Sequence, residues 1–247
     1  MQLCPNFQKI IDKISEAFSF FDFSFFVSGA ATYGISCYFL WQFDELKPFG
    51  STTTNVLISI ILIYLCGVIS FSYGKWIRLK YFQITRGCTK LLKKFNWIQK
   101  LQRRFNWIQK LLRTPDSFVE CFDKAIQYVN KGLEPNKQFP RNTLLESEKS
   151  YFYTEMWSFL RNRPEAKETV AFLNRYWVMQ AVCEGLIFSS TLAFVGGIIA
   201  WEFKGNNVIY LVISVASFLA FLILCREGRR YAETQILEVV IAYKHFY

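Results

Sequence analysis

Apolar and polar positions fall in long blocks along this chain. Four blocks, about Phe23 to Trp41, Val56 to Tyr73, Ala181 to Trp201 and Val208 to Cys225, carry almost no charge. Each reads as a membrane-spanning helix, because about 18 residues at 1.5 Å apiece extend about 27 Å, close to the hydrocarbon thickness of a bilayer. Only Glu202 to Asn207 separates the last two blocks, which makes them an antiparallel hairpin with a turn at Gly205-Asn206-Asn207. Elsewhere the pattern is amphipathic. Phe7, Ile10, Ile11, Ile14 and Phe18 recur at helical spacing before the first block, and Ile236, Val239, Val240 and Tyr243 do so after the last.

The long stretch between the second and third blocks has its own helices. Leu91, Phe95, Ile98, Leu101, Phe105, Ile108 and Leu112 continue the second block as a basic amphipathic helix. Thr114 and Pro115 open a second helix to about Asn130. Gly132 to Asn142 is a loop, about Thr143 to Arg161 is a third helix, and Pro164 starts a helix running unbroken into the third span. The pattern predicts an all-α protein: an integral membrane four-helix bundle with a helical cytoplasmic insert between spans two and three. Its segments are an interfacial helix over 1–19, a first transmembrane hairpin over 20–74, the basic insert over 75–180, a second hairpin over 181–225 and a C-terminal helix over 226–247.

Charge orients this arrangement. The formal net charge is +10, and the excess of Lys and Arg lies within 74–180. The stretch from Gly74 to Arg113 holds no Asp or Glu at all. Basic residues mark the cytoplasmic side, so the insert and both termini are expected in the cytoplasm, and the chain in the inner (cytoplasmic) membrane. The two outer loops carry only Lys47 and Lys204 as cations. Asp12 and Glu16 precede the first span, with no small-residue cleavage site after a short apolar core, so the N-terminal segment does not read as a secretory signal.

Small residues suggest helix-packing faces: Ala30 and Gly34 in the first span, and Ser189, Ala193 and Gly197 in the third. Glu184, about one turn inside the third span, is the candidate for a pore or ion path. At the cytoplasmic end it is also in reach of water or an arginine such as Arg175. The basic helix holds a near-copy repeat, Lys94-Phe95-Asn96-Trp97-Ile98-Gln99-Lys100-Leu101 and Arg104-Phe105-Asn106-Trp107-Ile108-Gln109-Lys110-Leu111. Lys93, Lys94, Trp97, Lys100, Arg103, Arg104, Trp107 and Lys110 are its candidate binding residues. Three readings stand: an anionic lipid surface, a nucleic acid stacked on the tryptophans, or a solvated face with a packed apolar stripe. A ten-residue period turns a helix about 1,000°, about 80° short of three turns, so the two tryptophans do not stack in line. That disfavours a base-stacking ladder.

No catalytic group, cofactor or metal site is expected. His245 is the only histidine, which leaves no His-based triad or two-His site within one chain, and no Gly-rich phosphate loop is present. Seven cysteines show no paired or zinc-like spacing. Ser189 and Ser190 read as packing residues rather than nucleophiles, so the chain is not expected to be an enzyme.

Arg175-Tyr176 leading into a tight two-span hairpin, then Arg226, Arg229-Arg230-Tyr231 and Val239-Val240-Ala242-Tyr243, form a pattern over about the last 75 residues. This pattern resembles small multi-span prokaryotic membrane effectors of antiviral defence systems. The resemblance implies oligomeric assembly in the inner membrane and membrane leakage on activation by a sensor. The expected function is therefore a homo-oligomeric inner-membrane channel or pore-forming effector controlled from the cytoplasm. The alternative is a non-conducting scaffold or anchor that recruits a cytoplasmic protein or nucleoprotein through the basic insert.

Overall fold

The computed structural model describes residues 20–43, 53–92, 118–131, 145–204 and 207–247. The expected N-terminal amphipathic helix, the duplicated basic segment over 93–113 with all eight of its candidate binding residues, and the loop over 132–142 lie outside them. Among the described residues there are α-helices and one short 3-10 turn, and no strand. The helices are α1 (Phe20–Gln42), α2 (Thr53–Leu92), α3 (Phe118–Asn130), α4 (Glu146–Arg161), α5 (Lys167–Phe203) and α6 (Val208–Phe246), with the 3-10 turn at Pro164–Ala166.

Helices α1, α2, α5 and α6 are long and apolar enough to cross a membrane. The last three, of 40, 37 and 39 residues, extend well beyond the four apolar blocks. At 1.5 Å per residue each is about 55–60 Å long, roughly twice a bilayer core. The expected separate C-terminal helix is thus the continuation of α6. No Gly or Pro lies near the junction of its apolar and amphipathic halves except Gly228, and helix formers such as Arg226, Glu227, Arg229, Arg230 and Ala232 fill it.

The chain folds as two compact units. An apolar unit comprises Met1–Tyr81 and Ala181–Glu227, and an amphipathic unit comprises Phe82–Gln180 and Gly228–Tyr247. Helices α2, α5 and α6 each contribute to both. The apolar unit exposes many large aliphatic side chains, among them Leu57, Ile61, Leu65, Val212 and Leu219. Such a surface is compatible with a lipid surround.

The amphipathic unit has a conventional core. Phe122, Ile126 and Val129 of α3, Met156 and Leu160 of α4, Leu173 of α5, and Val239, Val240 and Tyr243 of α6 pack together. Aromatic rings line it, with Phe159 and Tyr243 edge-to-face at 5.0 Å. Local signals bound α4. The Glu148 carboxylate accepts from the Leu145 backbone N–H at 2.6 Å, satisfying one of the unpaired donors at a helix start. Pro164 then occupies a first-turn position, where its missing N–H costs nothing. Lys149 and Asp123 join α4 to α3 at 2.8 Å, a partly exposed pair of modest worth.

Leu160 is fully buried, so Leu160→Ala is expected to cost about 2–5 kcal/mol. Tyr151→Ala, at a position 78% exposed, is expected to change stability by no more than about 0.5 kcal/mol. Denaturant unfolding of the solubilised full chain checks both. Burial pushes the Tyr153 phenol above the usual tyrosine value, against a smaller lowering by its hydrogen bond with Trp157. Folding then favours the neutral phenol. Its contribution is present in full below about pH 10 and is lost as pH rises through the folded-state value. Tyr153→Phe is expected to unfold less steeply with rising pH in that alkaline range.

Candidate functional site

Helices α2 and α5 touch through their backbones. A Cβ at Gly74 would fall on the carbonyl oxygen of Glu184, so only glycine permits this approach. One turn on, the Arg78 Nη2 donates to Glu184 Oε1 at 2.5 Å. Both side chains are withdrawn from solvent, with 11% of Arg78 and 1% of Glu184 exposed. The Arg78 Nε is buried and has no hydrogen-bond partner among the described residues. The pair joins two helices, each long and apolar enough to span a membrane, and lies in the apolar unit.

Arg78 is thus the structural partner of Glu184, while Arg175, the arginine suggested by proximity in sequence, is exposed. The sequence pattern hides Arg78 because it sits among Lys75, Lys80 and the other cations that fix orientation. Its position four residues after Gly74 is the signal that distinguishes it. Glycine and arginine at that spacing share a helix face, and that face must meet a neighbour closely.

A second polar cluster crosses three helices. The Thr32 hydroxyl of α1 lies 2.7 Å from Ser70 of α2 and 2.7 Å from Ser189 of α5. Ser70 donates to the Cys66 carbonyl at 2.5 Å. A hydroxyl has one proton, so Ser70 must accept from Thr32, and Thr32 in turn accepts from Ser189. The order Ser189 to Thr32 to Ser70 to Cys66 commits every hydroxyl proton. Ser28 donates to Ser24 O at 2.9 Å, and Gly185 abuts the Ser28 side chain.

Backbone contacts close the rest of the interior. A Cβ at Gly29 would fall on Ile63 O, and one at Gly67 on Phe25 O. Helix α6 joins through Gly197, which abuts the Ser214 hydroxyl, and through Tyr210, whose phenol donates to Gln42 Oε1 at 2.9 Å. Its start is capped by Asn207, whose Oδ1 accepts from Ile209 N–H at 3.0 Å.

The suggested packing residues are distributed unevenly. Ser189 and Ala193 are buried, and Gly197 makes the contact with α6. Ala30 and Gly34 are exposed, and a Cβ at Gly34 would meet nothing within 4 Å. On α1 the interior face is instead Ser24, Ser28, Gly29 and Thr32. The four-residue spacing of Ser24, Ser28 and Thr32 marks that face, but the Ala30–Gly34 pair has the same period and a more familiar composition.

Comparison with family models, curated proteins and solved structures returned no match. A buried ion pair and a saturated hydroxyl relay can hold helices in one register. They present no nucleophile–base pair and no convergent ligand set.

Glu184→Gln leaves the Arg78 charge buried and half-paired, and is expected to cost about 3–5 kcal/mol. The double variant Arg78→Met/Glu184→Leu removes both charges and is expected to recover most of that loss. Thermal unfolding of the purified full chain compares the two. Thr32→Val is expected to be milder, about 0.6 kcal/mol, because Ser70 keeps its Cys66 acceptor and the Ser189 hydroxyl lies 3.3 Å from Gly185 O.

Proposed function

We propose that the chain is a multi-pass inner-membrane protein acting as a homo-oligomeric channel or pore-forming effector, controlled from the cytoplasm through its amphipathic unit. The observation that carries this reading is the buried Arg78–Glu184 pair between two apolar helices. An ion pair buried between apolar helices is costly to desolvate, and ionisable residues in such helices mark ion paths and gating charges. In this reading the pair is a latch that holds α2 against α5 in the closed state. Helices α2, α5 and α6 run uninterrupted from the apolar into the amphipathic unit, which supports control by that route. The protein is not an enzyme in this reading, and its role in antiviral defence rests on the resemblance alone.

The backbone contacts at Gly29, Gly67 and Gly74, and that of Gly185 with the Ser28 side chain, press α1, α2 and α5 directly against one another. Conduction would then run between copies, or follow separation of α2 from α5. The same observation favours the second reading, a non-conducting anchor that recruits a cytoplasmic protein or nucleoprotein partner.

Ion flux through vesicles carrying the full chain tests the two. Under the channel reading, Glu184→Gln releases the latch and is expected to raise basal flux about tenfold or more, the shift given by about 1.4 kcal/mol of lost closed-state stability. Arg78→Lys, which keeps the charge, is expected to raise it less. Absence of flux in the parent chain and both variants, with recovery of a soluble partner in equal stoichiometry, overturns the channel and supports the anchor.

A further inference from the structure

Helix α2 has two opposite faces with different fates. Gly67, Ser70, Gly74 and Phe82 are buried along one, and Arg78 points with them toward Glu184. The opposite face is exposed and changes character along its length. Ile58, Leu65 and Ile69 come first, at 44%, 50% and 49% exposure. Tyr73 and Trp76 follow at 56% and 58%, and exposed Lys80 comes next, one turn before Ile84 at 64%. At 100° per residue the six positions from Ile58 to Lys80 fall within about 80° of one another. From Ile58 to Lys80 the rise is about 33 Å, about the depth of a bilayer core and one interface.

Aliphatic, then aromatic, then cationic is the order of environments met on leaving a hydrocarbon core through a head-group layer. Tyrosine and tryptophan place an apolar ring in the acyl boundary and a polar edge in the head groups. Lysine carries its charge to the phosphate level on an apolar stem. Lys75 is also exposed, but it lies about 140° around the helix from Lys80. Neither lysine is in an ion pair among the described residues. Arg78, on the buried face, spends its charge on Glu184.

We propose that Tyr73, Trp76 and Lys80 form a docking surface for the head group of an anionic phospholipid. The surface sets the depth at which α2 sits. The occupant is a lipid because the cationic end continues an apolar face of bilayer length. It is anionic because the polar end of the surface is a lysine in no ion pair among the described residues. The proposal rests on the membrane-spanning part of the function proposed above and is independent of conduction. It concerns a different segment from the duplicated basic helix.

The test uses the full chain in phosphatidylcholine vesicles containing phosphatidylglycerol. Flotation after a high-salt wash first establishes that the chain is integral, and flux is recorded on the same samples. The phosphatidylglycerol retained on extraction with detergent is then titrated. A lysine near a membrane surface contributes about 1 kcal/mol of attraction to anionic lipid. The apparent affinity is therefore expected to fall about fivefold for Lys80→Gln and to change less than about twofold for Lys75→Gln, on another face of the helix. Lys80→Arg is expected to retain it, and flux in pure phosphatidylcholine is expected to be unchanged in all three. Unchanged phosphatidylglycerol retention in Lys80→Gln overturns the proposal. So does its displacement by inorganic phosphate, or protection of Lys80 from amine labelling by a second copy in lipid-free detergent. A chain that floats and retains the lipid but conducts nothing defeats the channel reading and leaves this one standing. A chain that the high-salt wash removes from the vesicles defeats both.

Discussion

The apolar unit depends on the meeting of α2 and α5 at Gly74 and Glu184. Gly74 lets the helices touch at the backbone, and this nearness brings the Arg78 guanidinium to the Glu184 carboxylate. Further along the same face of α2, Ser70 joins the hydroxyl relay and Gly67 makes the contact with α1. The face is thus a sequence of backbone contact, hydroxyl, backbone contact and ion pair. A slip of one residue would place a Cβ where Gly74 fits and turn Arg78 away from its partner. The ion pair contributes less to net stability than its Coulomb attraction suggests, since both charges lose their hydration. Its physical effect is selective: it penalises every arrangement in which either charge is buried alone.

The same geometry sorts a basic segment into different roles. Lys75, Arg78 and Lys80 lie within six residues, and to a sliding measure of charge they are equivalent. A helix separates them by 100° per residue. Arg78 falls on the face that meets α5, Lys80 lies nearly opposite it, and Lys75, about 60° from Arg78, is exposed on the flank. Arginine is also the residue suited to the buried position, because its guanidinium is always charged and is more weakly hydrated than an ammonium.

In the amphipathic unit, packing is ordinary and hydrophobic. The α6 stripe of Val239, Val240 and Tyr243 is covered by α3, α4 and the first part of α5. The periodicity of each of these helices is visible in the residues that form this core. Which stripes meet is not, because apolar side chains carry little information about partner identity and many pairings satisfy the same pattern.

The sequence by itself determined the helical class, the four apolar runs, the unbroken passage from Pro164 into the third apolar run, and the concentration of cations between the second and third runs. These features are local: they follow from hydropathy over a turn or more and from charge counted along the chain. Tertiary structure alone decided that Glu184 pairs with Arg78, 106 residues earlier, that α1 turns Thr32 inward and Gly34 outward, and that α6 continues unbroken into the second unit. The first two depend on which faces are pressed together. Small-residue ribbons at four-residue spacing occur on both sides of α1, so composition could not rank them. The choice was made by the fit of Gly29 against Ile63 and of Ser28 against Gly185, contacts between residues that only folding brings together.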